Sequence, residues 1–163
     1  MKKTILLFVA TGLLSGAVAQ LKTTALCPVF SVDILDGKVN DLEPFATQGQ
    51  IKKLFPCFTS AEDEGQSARC GGIISYKDKD IFFYTGRDYV EIGEKFKGKL
   101  SIPLLGAPRT GLFKWLGHPR LKDLNWDAFQ TAYGTLVLYY NKAGKVNKIQ
   151  FSTLSSEMMN PCE

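Results

Sequence analysis

The chain has 163 residues, with 20 basic against 16 acidic side chains, four cysteines and 45% hydrophobic residues. That supplies a core for one compact domain or two very small ones, and it excludes wholesale disorder. The single histidine, His118, excludes multi-histidine metal sites and any His–His acid/base pair.

Met1-Lys2-Lys3, the apolar stretch 5–14 and then Ala17-Val18-Ala19 read as a secretory signal peptide cleaved after Ala19, which leaves Gln20 at the new N-terminus. The apolar run is shorter than the roughly 18 residues that cross a bilayer, and no later run reaches that length. Leu26 beside Cys27 fits poorly with lipid attachment, which prefers a small residue there. Loss of Lys2 and Lys3 leaves 18 basic against 16 acidic residues, a net charge of +2. Lys95, Lys97 and Lys99 read as a solvated loop or edge, so no nucleic-acid partner is expected.

After the signal, residues 28–35 are rich in β-branched and aromatic residues and predict a strand, ended by the turn pair Asp36-Gly37. Val39 and Leu42 open a short element of undetermined type. Thr47 is a candidate cap for a helix through residues 50–55, with Ile51, Leu54 and Phe55 on one face and Pro56 as its stop. The polar stretch 61–67 reads as a loop. Residues 72–76 and 81–84, around the turn 77–80, predict a β-hairpin, and residues 89–92 a further strand. Thr110 is a candidate cap for a second short helix at 111–116, ended by Gly117-His118-Pro119. Trp126 and Phe129 fall in a predicted loop. Residues 134–140 and 146–151 predict two strands around the turn 141–144.

Cys27, Cys57, Cys70 and Cys162 survive signal cleavage, and an even count in an exported chain predicts two disulfides. Of the three connectivities, Cys57–Cys70 with Cys27–Cys162 is favoured. The first would tie off the polar loop, and the second would join the ends of the mature chain. No C-x-x-C and no Cys/His spacing suggests a metal site.

The two halves overlay at an offset of 62. Gly49, Ile51, Lys52 and Leu54 fall on Gly111, Phe113, Lys114 and Leu116, and Gly72 falls on Gly134. A tandem repeat follows: a unit at 20–98 and a unit at 99–163, integrated in one globular domain. Each unit packs short helices on an antiparallel β-meander, giving an α+β fold. A unit of this size has a marginal core alone.

The segment 111–119 followed by 133–140, a short helix with Gly117-His118-Pro119 and then a strand, resembles the superfamily of secreted β-lactamase inhibitor proteins and small outer-membrane assembly lipoproteins. The resemblance covers roughly residues 38–152. It implies helices packed on an antiparallel sheet, in two tandem units, each with an internal disulfide. A Cys57–Cys70 bridge would sit where the first unit's bridge is expected, whereas the second half has no cysteine pair.

No catalytic set emerges. His118 sits at a helix C-terminus, where its side chain suits the dipole. No G-x-S-x-G occurs, and the cysteines are expected to be paired. Glu62-Asp63-Glu64 lacks the alternating oxygen ligands of a calcium loop. Asp33 and Asp36 read as turn chemistry rather than paired catalytic carboxylates. No metal and no cofactor are expected.

The aromatics are more informative. Tyr76, Phe82, Tyr84, Tyr139 and Tyr140 fall in predicted strands, and the adjacent Tyr139 and Tyr140 must point to opposite faces. One of the two therefore lies outside the helix-covered core. Trp115 and Trp126 lean toward the core, and Trp126 is also retained with the binding candidates. An aromatic sheet face suits protein recognition, so the candidate partner-binding residues are Tyr76, Tyr84, Tyr139, Tyr140 and Trp126. The expected role is a periplasmic or extracellular, non-catalytic module that binds a protein partner, as an inhibitor for example. The alternatives are a cell-envelope assembly protein and a small hydrolase.

Overall fold

The computed structural model describes residues 26–65 and 69–162. The signal-peptide reading, at 1–19, lies outside the described residues. In chain order the elements are β1 (Ser31–Asp33), β2 (Lys38–Val39), α1 (Gln48–Leu54), β3 (Ser60–Glu62), β4 (Ile73–Tyr76), β5 (Ile81–Tyr84), β6 (Tyr89–Gly93) and β7 (Lys99–Leu100). A 3-10 turn (Arg109–Gly111) then leads into α2 (Phe113–Leu116), followed by β8 (Leu121–Lys122), β9 (Trp126–Gln130), β10 (Thr135–Tyr140) and β11 (Val146–Ser152).

Eight strands form one antiparallel sheet in the order β3-β4-β5-β6-β11-β10-β9-β8. Each half of the chain supplies four neighbouring strands, and the halves join through β6 and β11, where Ile92 pairs with Ile149. A second sheet, β2-β1-β7, includes a parallel β1–β7 pairing.

Strand parity gives the large sheet one core face. Ile74, Phe83, Val90, Phe151, Leu136 and Phe129 form one cross-strand row, and Tyr76, Ile81, Ile92, Ile149 and Leu138 form the next. All of these side chains are buried in a single cluster. Ile51 and Phe55 of the α1 segment, Val32 and Val39 of the small sheet, and Leu112 before α2 join the same cluster. Helices and small sheet therefore cover one face of the large sheet, in the layered manner of α+β domains.

The first helix forms as expected. Thr47 caps α1 in a capping box, with its hydroxyl accepting from Gln50 N and its own N–H donating to Gln50 Oε1 at 2.8 Å. Ile51 and Phe55 are fully buried, whereas Leu54 turns outward and is exposed. The second helix differs. Thr110 lies inside the 3-10 turn and makes no cap, and α2 begins after Leu112.

Two strands fall where loops were expected. Residues 60–62 form β3, and Trp126 to Gln130 form β9. Buried Asp127 interrupts the apolar alternation that would have marked β9. The overlay at offset 62 sets β4 on β10. Counting strands after each helix instead sets β4 beside β9, because β8 and β9 precede β10.

The cysteine pairing is Cys27–Cys57 and Cys70–Cys162, which corrects the favoured connectivity. Phe30 and Phe55 stack at 4.2 Å between centroids, so the segment entering β1 runs beside the end of α1 and places Cys27 against Cys57. β11 is the neighbour of β6, so the chain after β11 returns toward the start of β4 and meets Cys70. No bridge therefore closes the 57–70 loop, and the resemblance loses the internal bridge it implied for the first unit.

Candidate binding slot

The face of the large sheet turned away from the helices carries the opposite parity. Leu121, Ala128, Val137, Gln150, Glu91 and Phe82 form one row across it, and Trp126, Tyr139 and Lys148 form another. No helix or strand covers this face among the described residues. Part of it is crossed by the segment 153–162, which leaves β11 and ends at the Cys70–Cys162 bridge.

Between that segment and β8–β10 lies a cavity of about 290 Å³. Its sheet side is Leu121, Trp126, Ala128, Thr135, Val137 and Tyr139, and its outer wall is Ser156, Met159 and Pro161. Seven of these nine residues are apolar or aromatic, and Thr135 and Ser156 are polar. Ser156 Oγ is buried without a hydrogen-bond partner. The volume is near the lower end of small-ligand pockets and suits a single large side chain.

A polar network holds Tyr139. Its hydroxyl donates to Gln150 Oε1 at 2.8 Å, and Gln150 Nε2 donates to Glu91 Oε2 at 2.7 Å. Lys148 approaches the same Glu91 oxygen at 3.6 Å, and its ammonium lies 4.1 Å from the Tyr139 ring centroid. Gln150 is only 1% exposed, so this network is fixed rather than solvated.

Trp126 is held from the other side of the sheet. Its neighbour Asp127 is buried on the core face, where Arg109 Nε donates to Oδ2 at 2.9 Å, Arg109 Nη2 donates to Oδ1, and the Tyr140 hydroxyl donates to Oδ2 at 2.7 Å. Arg109 also donates to the carbonyls of Asp123 and Leu124, which clamps the β8–β9 turn. The Asp127 hydrogen bond raises the affinity of the Arg109 guanidinium for its proton, and burial followed by the Asp127 contact pushes the Tyr140 phenol up.

The five candidate aromatics separate accordingly. Trp126 and Tyr139 meet as register partners in the slot, and Tyr84 lies further along the same face, stacked on Tyr89 at 4.3 Å. Tyr76 and Tyr140 belong to the core, which corrects their place among the binding candidates: parity turns both toward the helices. Tyr76 is 0% exposed and donates its hydroxyl to the Phe55 carbonyl at 2.7 Å. Trp115 packs half-buried against the core.

Leu121, Val137, Met159 and Pro161 were not among the candidates. Val137 could have been found from its parity with Tyr139. The residues after Ser152 carry no periodic signal that would place them on the sheet.

Elsewhere the chemistry is structural. Asp33 Oδ1 accepts from the Leu35 and Asp36 amides in a local turn. His118 is exposed and packs its ring against Phe113 at 4.5 Å. Among the described residues no group of three or more His, Cys, Asp or Glu side chains could hold a metal ion, and no helix is long and apolar enough to cross a membrane.

No family model matches the chain, and neither the curated proteins nor the solved structures include a match.

Proposed function

We propose that this chain is an exported, non-catalytic binding module that holds one aromatic or branched aliphatic side chain of a protein partner in the slot. The observation that carries the reading is the Trp126–Tyr139 register pair, which sets two half-buried aromatics beside Val137 and Leu121 on the sheet face turned away from the helices. Large apolar anchors filling such pockets dominate binding energy at protein interfaces, and the partly exposed Glu91 and Lys148 beside the slot suit a polar rim. The two disulfides fit an oxidising compartment outside the cytoplasm.

A random peptide library panned on the oxidised protein, then counter-screened on Trp126→Ala, tests the reading. Binders to the wild type should share one aromatic or branched aliphatic anchor, and Trp126→Ala should weaken them by about 30-fold or more, the loss expected of a hot spot. Binders indifferent to Trp126, or none at all from a folded protein, overturn it.

A further inference from the structure

We propose that the Cys70–Cys162 bridge is a latch on the slot: its reduction by a dithiol frees the segment 153–162 and turns the slot into an open sheet face. The proposal rests on the slot reading above and adds its regulation.

The segment is a wall rather than a strand. After Ser152 it makes no ladder with the sheet, yet it supplies Ser156, Met159 and Pro161 to the cavity. Its near end is tied to the sheet by Thr135 Oγ1, which donates to the Leu154 carbonyl at 2.9 Å. Its middle is held loosely. Arg120 and Glu157 pair at 2.9 Å, but both are more than half exposed, and Met158 is 67% exposed. Exposed pairs of this kind contribute little.

Its far end carries the firm contacts. Arg87 donates to the Asn160 carbonyl at 2.8 Å, and the Cys162 amide donates to the Tyr89 hydroxyl at 2.9 Å. These contacts lie beside the disulfide that ties the far end of this segment to the start of β4, so the bridge sets the local concentration on which they depend. Beneath the end of the segment lies Tyr89, 0% exposed and stacked on Tyr84. Releasing the segment would add Tyr89 to the aromatic surface that already includes Tyr84, Tyr139 and Trp126.

The chemistry is ordinary thiol–disulfide exchange. Cys70 is buried, whereas Cys162 is half-buried, so the attacking thiolate reaches the Cys162 sulfur. A new S–S bond forms there, the Cys70–Cys162 bond breaks, and the electron pair leaves on the Cys70 sulfur, which takes up a proton. The second thiol of the reductant then attacks the mixed disulfide and releases Cys162 as a thiol. The bridge gains two electrons and two protons, and the dithiol leaves as its own disulfide.

Amide hydrogen exchange on the full mature chain tests the latch directly. The Cys162 amide donates across to Tyr89 Oη on β6, so its protection reports closure directly. The Met158 and Met159 amides donate to Ser155 O in a single turn within the segment, which is too short to persist once the segment is released. In C70S/C162S, protection at these three amides should fall by about tenfold or more while β10 and β11 keep theirs, as expected of a segment that opens locally. C27S/C57S, which leaves the latch in place, should retain it. A parallel titration with p-cresol, an analogue of the tyrosine side chain, reads the slot through Trp126 fluorescence in a Trp115→Phe background. The oxidised protein should bind p-cresol, and C70S/C162S should bind it about tenfold more weakly because one wall is gone. Unchanged protection in C70S/C162S overturns the latch, whatever p-cresol does. Lost protection with no p-cresol binding by the oxidised protein keeps the latch and overturns the slot.

Discussion

Trp126 and Asp127 are neighbours on β9 that face opposite sides of the sheet, and the anchoring of Asp127 fixes Trp126. Asp127 is 3% exposed and takes hydrogen bonds from Arg109 and Tyr140 on the helix side, while Trp126 lines the slot on the other. Arg109 also reaches the two carbonyls of the turn that precedes Trp126. An ion pair whose carboxylate is buried on one face thereby orients a binding side chain on the other.

The two partners of that pair are not equivalent, and substitution should show it. Arg109→Met leaves a carboxylate buried without its cation, which costs about 3–5 kcal/mol. In Asp127→Asn the guanidinium is left instead, and its side chain, 32% exposed, can reach water. That change should cost about 1–3 kcal/mol. Urea unfolding of both variants gives the order, and an Asp127→Asn that proves the more damaging would show that Arg109 is not solvated when freed.

Tyr139 and Tyr140 should likewise part company. Tyr140→Phe removes the hydroxyl that donates to Asp127 from a side chain only 8% exposed, and should lower stability by about 1–2 kcal/mol. Tyr139→Ala acts at the half-buried slot and should weaken peptide binding by about 30-fold while the chain stays folded. Thermal unfolding and peptide titration of the pair separate the two roles. Equal loss of binding in both would remove the distinction drawn from parity.

The reach of the sequence follows from the same parity. Alternation marks β4, β5, β10 and β11 because their alternate residues face one core, and Thr47 with Gln50 marks the start of α1. Asp127 hides β9, since a carboxylate at a core position breaks the pattern and its partner Arg109 lies 18 residues away. Tyr76 and Tyr140 could not be separated from Tyr84 and Tyr139 by residue type. Only the register of eight strands assigns them to faces. The cysteine pairing was equally closed to sequence reasoning, because it depends on β11 lying beside β6.

Alkaline pH should unfold the protein steeply. Burial raises the phenols of Tyr76, Tyr84, Tyr89, Tyr133 and Tyr140 above their ordinary value near 10. A group whose folded value is raised contributes its full stability below the unfolded value and loses it as the pH climbs toward the folded one. The fold should therefore be insensitive to these groups below about pH 9. Above about pH 10 it should lose up to about 1.4 kcal/mol per pH unit for each phenol that ionises only on unfolding. Absorbance at the tyrosinate band and circular dichroism should change together. Phenolate formation well before unfolding would contradict the burial of these rings.

The approach of the chain at the mouth of the β4–β5 hairpin gives the sharpest structural prediction. A Cβ at Gly86 would lie 1.9 Å from the Gly71 carbonyl oxygen, a backbone atom next to Cys70. Nothing flexible can give way there, so Gly86→Ala must displace the start of β4 and should cost about 2–3 kcal/mol or more. Gly106 is the control. Its φ is +76°, but a Cβ there meets nothing within 4 Å, so Gly106→Ala should cost only the left-handed backbone penalty of about 1 kcal/mol. Because Gly71 adjoins the latch, Gly86→Ala should also lower hydrogen-exchange protection at Cys162, whereas Gly106→Ala should not. A Gly86→Ala variant as stable as Gly106→Ala would mean that the two backbone segments do not approach as closely as described.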